Sequence, residues 1–157
     1  MSPTPEQEAR VKIDEMLDQA GWDVQDLRKV NIHARQGVAI REFPLETGHG
    51  AADYLLYVGG KATGVIEAKK EGTTLSGVEI QSDKYKTGLP TTLPAWFRPL
   101  PFCYQSTGVE TCFTNDFDPN ARSRSIFHFH KPDTFLQWLK EEPLVASDEV
   151  SDGVLPF

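Results

Sequence analysis

Polar and apolar residues near the start of the chain alternate with the period of an α-helix. Thr4 and Gln7 form a capping box, and Pro5 takes the first helical position. The apolar face comprises Ala9, Ile13, Met16, Leu17 and Ala20. We expect Gly21 to end this helix and Trp22 to fold back onto its apolar face.

Strand-like apolar runs follow, and turn residues separate them. The runs cover residues 38–43, 52–58, 64–70, 111–114 and 125–129. Gly59 and Gly60 lie between the second and third runs, which predicts a β-hairpin. Two further helices are expected, one over 76–87 after a second capping box and one over 132–140.

The order of these elements is helix, three strands, helix, two strands, helix. This order predicts an α/β fold with a mixed central sheet flanked by helices. Residues 88–108 contain four prolines and are expected to form a long irregular loop. Residues 1–140 would make up one domain, and the acidic residues 141–157 a linker or a disordered tail.

The two cysteines, Cys103 and Cys112, are too few for a disulfide framework and lack the spacing of a zinc site. We therefore expect reduced thiols. No apolar run approaches the roughly 18 residues that a membrane-spanning helix needs. The first residues show no secretory leader, so a cytoplasmic protein is expected.

Asp53, Glu67 and Lys69 are charged residues in otherwise apolar strands. Glu67 and Lys69 are two residues apart and therefore share a face, while Ile66 and Ala68 point into apolar packing. Residues opposite each other in an antiparallel pair share a face, with Cβ atoms about 4.5–5.5 Å apart. A simple two-residue turn would pair Asp53 with Ile66 and place the two acids on opposite faces.

Pairing Asp53 with Glu67 needs a three-residue turn over 59–61 or a β-bulge, and the adjacent glycines permit either. We predict this register, because the two carboxylates could then bind one Mg²⁺ ion, or Mn²⁺ in its place. The backbone carbonyl of Ala68 is a candidate third ligand, and Lys69 would orient the attacking water or stabilise developing negative charge. The same residues also fit a surface hairpin with one Glu–Lys pair, which contributes little to stability.

Further polar residues are candidates for this site. Gln81 and Tyr85 are four apart on a predicted helix and face the same way, so they could contact the phosphate. An ordinary half-buried helix face explains them as well. His49 could also contact phosphate, and Glu8 could donate another carboxylate, although a solvated helix charge is the simpler interpretation of Glu8.

Taken in order, these residues resemble the N-terminal nuclease domain of type I restriction enzyme R (motor) subunits, a member of the PD-(D/E)xK nuclease superfamily. The resemblance rests on the segments GAADY (50–54) and EAKK (67–70), on Gln81 with Tyr85, and on the flanking segments 10–22, 114–115 and 127–132. It covers residues 5–140. Ala52 replaces the proline of the superfamily name, and Asp116 stands where glycine often follows Thr-Asn.

The resemblance implies a restriction-endonuclease-like fold and Mg²⁺-dependent cleavage of double-stranded DNA. It assigns Asp53 and Glu67 as metal-binding acids, Lys69 as the catalytic lysine, and Gln81 and Tyr85 as a Q-x-x-x-Y motif. The implied partners are an ATP-driven translocase and the modification and specificity subunits of a restriction complex.

The formal net charge of −7 is unusual for a protein that binds DNA. Five acids lie in residues 141–157, and removing them from −7 leaves −2. A nearly neutral body holds DNA weakly, so we expect a translocase to deliver the DNA. A phosphate loop ending at Gly60-Lys61 would need glycine in place of Leu55, so this chain looks like an excised or separate nuclease domain.

Two other functions fit the sequence. A catalytically inactive DNA-binding or subunit-docking module would keep the same fold, and a metal hydrolase acting on small phosphoesters would keep the same site. Metal binding separates the first from an endonuclease. The second is separated by comparing plasmid cleavage with hydrolysis of a model phosphodiester.

Overall fold

Seven strands form one mixed sheet in which neighbours follow the sequence order. The structure, a computed structural model, describes residues 4–46, 50–75 and 88–150, with side chains as far as residue 141. The strands are β1 (Asp23–Gln25), β2 (Gly37–Pro44), β3 (Ala51–Val58), β4 (Lys61–Ala68), β5 (Phe102–Ser106), β6 (Thr111–Asn115) and β7 (Arg124–Ile126). β1 runs parallel to β2 and β4 to β5, and the other neighbours are antiparallel. The predicted α/β class with a mixed sheet is therefore confirmed.

The first helix, α1 (Pro5–Gln19), begins and ends where the sequence predicts. The Thr4 hydroxyl accepts a hydrogen bond from the Gln7 N–H at 3.1 Å, and the Gln7 side chain accepts one from the Thr4 N–H at 2.8 Å. Trp22 is fully buried, as predicted. Its indole N–H donates to the carbonyl oxygen of His130 at 2.8 Å, which ties the end of α1 to the segment before the last helix.

The last helix, α2 (Pro132–Val150), packs on the same face of the sheet as α1. The shared core includes Ile13, Leu17, Trp22, Tyr54, Leu56, Ile66, Phe102, Tyr104, Phe135 and Leu139. The rings of Phe102 and Phe135 stack with centroids 4.2 Å apart. The Tyr104 hydroxyl accepts from the backbone N–H of His130 at 3.0 Å and lies 2.6 Å from its Nδ1, so this histidine belongs to the core.

On the opposite face of the sheet, Leu89 and Leu100 are buried in a second apolar cluster, while Trp96 and Phe97 from the same segment pack against the first core. The sheet side of that cluster includes Val38, Ile40, Ala52, Leu55, Tyr57, Ala62, Val65 and Cys103. The predicted loop over 88–108 is therefore wrong in its second half, where residues 102–106 form β5. This strand is buried along its whole length, so it lacks the alternation of a half-exposed strand.

β3 and β4 form the predicted hairpin, and of the two predicted ways to shift its register, a three-residue turn or a bulge, the bulge is observed. Gly59 and Gly60 make a two-residue turn with φ angles of 60° and 83°, a conformation that favours glycine. The register then shifts by one residue at Thr63 in β4. Beyond this bulge Tyr54 pairs with Ile66.

Three further elements differ from the prediction. β1 is a short strand that was not predicted, and the strand expected over 125–129 is observed as Arg124–Ile126. α2 continues past Lys140 to Val150, so helical structure extends into the acidic segment. The helix predicted over 76–87 lies outside the described residues.

Cys103 and Cys112 are free thiols, as predicted, and Cys103 is buried. In the part of the chain that the structure describes, no helix combines the length and the apolar character needed to cross a bilayer.

Candidate active site

The open end of the β3–β4 hairpin, away from its glycine turn, carries the predicted charged residues. Continuing the register one step beyond its last pair puts Asp53 across from Glu67. Ile66 and Ala68 are buried under α1 and α2. Glu67 and Lys69 therefore point to the opposite face of the sheet.

Both carboxylate oxygens of Asp53 are engaged. Oδ2 accepts a hydrogen bond from the backbone N–H of Ala68 at 2.8 Å. Oδ1 accepts one from Nη2 of Arg10, in α1, at 2.5 Å. The first bond holds the Asp53 carboxylate against the β4 backbone at Ala68, directly after Glu67.

Glu67 is 4% exposed, and a buried carboxylate needs compensating partners. Nζ of Lys69 lies 3.5 Å from Glu67 Oε2, and most of the lysine side chain is buried. On the other side of β4, Gln105 of β5 pairs with Glu67 in the parallel register and is also buried. Glu67 therefore has a cation two residues further along the chain and a buried amide on the neighbouring strand.

Arg10 bridges two carboxylates. Besides Asp53, it contacts Glu42 of β2 through Nη1, at 2.9 Å from Oε2. Burial lowers the pKa of Arg10, but Asp53 and Glu42 together raise it above its ordinary value, so the guanidinium stays charged. Glu42 has a φ of 52°, a left-handed conformation that costs energy in a non-glycine residue, and β2 pairs with β3 in the same register on both sides of it, at Arg41 and Phe43.

Tyr54 fixes α1 over the open end of the β3–β4 hairpin. Its hydroxyl lies 2.5 Å from Asp14 Oδ1 and 3.1 Å from the backbone carbonyl oxygen of Arg10. Burial, together with the Asp14 carboxylate, raises the pKa of Tyr54, so its hydroxyl keeps its proton. Arg41 holds Asp14 from β2 at 2.9 Å. Because Tyr54 follows Asp53 directly and its hydroxyl contacts the Arg10 backbone, Tyr54 also fixes Arg10 relative to Asp53.

The carboxylates of Asp53 and Glu67, at the open end of the hairpin, suit a hard divalent cation. Mg²⁺ commonly binds proteins through one or two carboxylates and keeps several waters. Across residues 4–46, 50–75 and 88–141, no three His, Cys, Asp or Glu side chains assemble into a metal cage, so water and substrate oxygens would supply the remaining ligands. Two side-chain cations, Arg10 and Lys69, already stand at the two acids, which shows that this edge accommodates positive charge.

The other predicted site residues are spread more widely. Glu8 is exposed on α1 and lines a groove of about 550 Å³, and its role as a further acid stays a prediction. Ala68 engages Asp53 through its N–H, and the ligand role of its carbonyl likewise stays a prediction. Gln81, Tyr85 and His49 lie outside the described residues.

Sequence reasoning gave no individual role to Arg10, Glu42 or Gln105. Arg10 lies on the polar face of α1, where a solvated charge is the usual expectation, and its contact with Asp53 spans 43 residues. Gln105 fell within the predicted loop. No local pattern marks the left-handed backbone of Glu42. Only the pairing of distant segments brings these residues to the acids.

A mixed sheet flanked by helices, with two acids and a lysine at the open end of one hairpin, defines an α/β domain with a candidate hydrolytic centre. The family model described as the type I restriction enzyme EcoKI endonuclease subunit second domain matches residues 13–98, more than half of the chain. The chain therefore belongs to this family. The matched segment contains Asp53, Glu67 and Lys69.

Two relatives extend the comparison. The type I restriction enzyme EcoKI endonuclease subunit of Escherichia coli (strain K12) is 28% identical over 196 residues, covering 94% of this chain and 17% of the relative. A fragment structure of a putative HsdR subunit of a type I restriction enzyme from Vibrio vulnificus YJ016 matches with a TM-score of 0.60 and 19% identity, covering 97% of this chain and 27% of that chain. The resemblance to type I R subunits that the sequence indicated is confirmed. The chain spans about a sixth of the length of the curated relative.

Proposed function

We propose that this chain is the DNA-cleaving domain of a type I restriction enzyme R subunit, and that it hydrolyses phosphodiester bonds of double-stranded DNA with Mg²⁺. One observation supports the proposal: the β3–β4 register, continued by one step, places Asp53 across from Glu67, whose carboxylate contacts Lys69. The same triad is the basis for assigning the chain to the PD-(D/E)xK superfamily.

Each residue of the set has its own task in this proposal. Asp53, Glu67 and the Ala68 carbonyl would hold the ion, which when bound polarises the phosphate and lowers the pKa of a water. Lys69 keeps its ammonium beside Glu67 and would donate a hydrogen bond where negative charge develops. The Ala68 N–H orients the Asp53 carboxylate before any ligand binds.

The surroundings of this triad would supply the other functions. Gln81 and Tyr85, with His49 and Glu8, are proposed as auxiliary contacts to phosphate or ion. The net charge of −7 opposes tight DNA binding by the chain alone. We therefore propose that a translocase delivers the DNA, in a complex with modification and specificity subunits.

A catalytically inactive DNA-binding or docking module is the second candidate. The observation that favours it is charge pairing: Arg10 neutralises Asp53, and Lys69 neutralises Glu67. Ion-pair networks with a purely structural role make the same contacts. Such a module needs no divalent cation at this edge, so metal binding distinguishes the two candidates.

Isothermal titration calorimetry with Mn²⁺ tests the metal site in the 157-residue chain. We expect binding by the wild-type protein and loss of binding in Glu67→Ala and in the nearly isosteric Glu67→Gln. Glu110→Ala is the matched control, because it removes an exposed acid from the β5–β6 turn. Equal binding by the wild-type chain and both Glu67 variants would contradict the site assignment.

Cleavage of supercoiled plasmid in Mg²⁺ tests the substrate. We expect nicked or linear DNA from the wild-type chain, and a rate lower by about 10²-fold or more in Glu67→Gln. If a model phosphodiester is hydrolysed readily while plasmid stays intact, the protein is a small-phosphoester hydrolase. Metal binding without either reaction would favour the inactive module.

A further inference from the structure

Arg10 contacts the Asp53 carboxylate oxygen that a bound cation would use. Its Nη2 is 2.5 Å from Asp53 Oδ1, while the other carboxylate oxygen accepts from the Ala68 N–H. A divalent ion therefore reaches Oδ1 only if the guanidinium moves away or shares that oxygen. Two cations at one oxygen repel each other strongly, because the energy rises as their separation falls.

A second anchor for the guanidinium is already in place. Nη1 of Arg10 donates to Glu42 Oε2 at 2.9 Å, and Glu42 reaches this point from a left-handed backbone conformation. Strained backbone of this kind persists where the surrounding structure requires it, often at functional sites. Arg10 can therefore leave Asp53 and still keep a carboxylate partner.

The guanidinium is also incompletely satisfied. Its Nε is buried and makes no hydrogen bond with any residue that the structure describes. Buried donors are normally paired, so an unpaired one in a native protein needs an explanation. A group that exchanges partners during function provides such an explanation, because no single position has to satisfy every donor.

Resting on the metal site proposed above, we infer that Arg10 is the resident counter-ion of Asp53, a positioning residue that a divalent cation displaces toward Glu42. Arg10 holds the Asp53 carboxylate in place in the metal-free protein and opposes binding of the ion. It therefore sets the metal affinity of the site without being a ligand.

Arg41 offers a matched control on the neighbouring strand. It also bridges two carboxylates, those of Asp14 and Asp26, and its side chain is 33% exposed against 30% for Arg10. Arg41→Gln and Arg10→Gln therefore remove the same charge from similar surroundings. Of these two arginines, Arg10 is the one in contact with Asp53.

Calorimetric titration of the 157-residue chain with Mn²⁺ tests the inference. We expect Arg10→Gln to tighten the Kd about tenfold, equivalent to about 1.4 kcal/mol. Arg10→Lys, which restores the competing charge, should return the Kd most of the way to the wild-type value, and Arg41→Gln should stay within about twofold. A purely structural role would instead leave the Kd of Arg10→Gln unchanged or weaken it, and either result overturns the inference.

A second measurement applies even if Arg10→Gln fails to fold. In the ¹⁵N-labelled wild-type chain, Mg²⁺ should shift the Nε–Hε resonance of Arg10 and leave that of Arg41 in place. An unmoved Arg10 resonance at saturating Mg²⁺ overturns the inference. If the wild-type chain binds no metal at all, the proposed function fails first, so the two failures are distinguishable.

Discussion

The two ends of the β3–β4 hairpin are held together by different kinds of contact. At the turn end, the indole N–H of Trp96 donates to the Val58 carbonyl at 2.7 Å, and Lys61 lies with Nζ 4.8 Å from the Trp96 ring centre. At the open end, the Asp53 carboxylate is paired with Arg10 of α1, and the Glu67 carboxylate is paired with Lys69. One end is closed by an aromatic ring and backbone, the other by charge.

This difference separates stability from chemistry. The turn end is satisfied by neutral backbone groups and an exposed lysine, and it needs no ligand. At the open end, charged side chains are partly buried, which costs free energy. In the proposed function, these charges would bind an ion or a phosphate. The bulge at Thr63 joins the two ends, because it sets the register that brings Asp53 opposite Glu67.

The largest expected effect is on DNA cleavage, and it distinguishes Lys69, directly after the end of β4, from Lys61 at its start. Lys69→Met should lower plasmid cleavage about 10²-fold, because a donor beside the reacting phosphate is lost, while Mn²⁺ binding persists. Lys61→Met should leave cleavage unchanged and lower the free energy of unfolding by about 0.5 kcal/mol, since an exposed cation–π contact contributes little. Cleavage assays and urea unfolding measure both. If the two variants cleave DNA at equal rates, the assignment of chemistry to the open end and of stability to the turn end is wrong.

The strands of the hairpin were predictable because their information is local. Apolar runs of strand-forming residues and the Gly59-Gly60 pair indicate two strands and their turn. The shifted register was predicted from chemistry, since only this register lets the two acids share an ion, but a three-residue turn and a bulge remained alternative ways to produce it. The position of the bulge at Thr63 was not predictable, because it depends on packing against β5.

The missing parts of the prediction are non-local. β5 carries no alternation, since strands on both sides and apolar groups on both faces bury it completely. The contact of Arg10 with Asp53 depends on how α1 docks on the sheet, and the interactions of Tyr54 with Asp14 that fix this docking span 40 residues. Local periodicity predicts which face of a helix or strand is apolar, but it does not predict which charged side chains from distant segments come into contact.

A middle-sized effect is expected where the two ends join. A Cβ on Gly64 would lie 2.6 Å from the backbone carbonyl oxygen of Phe102, and backbone cannot move aside as a side chain can. Gly64→Ala should therefore lower the free energy of unfolding by about 2–3 kcal/mol in urea denaturation. Gly50→Ala is the control: its Cβ would meet no atom of the described residues within 4 Å, so the expected cost, about 1 kcal/mol, comes from its φ of 75°. Equal losses in the two variants would mean that β4 and β5 adjust freely.

Apart from the control variants, the smallest effect is expected at Trp96, and it tests whether the turn end influences the site at all. Trp96→Phe removes the hydrogen bond to Val58 and weakens the contact with Lys61, so the free energy of unfolding should fall by about 1 kcal/mol. Mn²⁺ affinity should stay within twofold of wild type, because the bulge, and not the indole, sets the register at Asp53. If Trp96→Phe instead weakens Mn²⁺ binding tenfold, register and turn packing are coupled along the whole hairpin. The open end would then depend on the aromatic closure of the turn, and not only on its own charges.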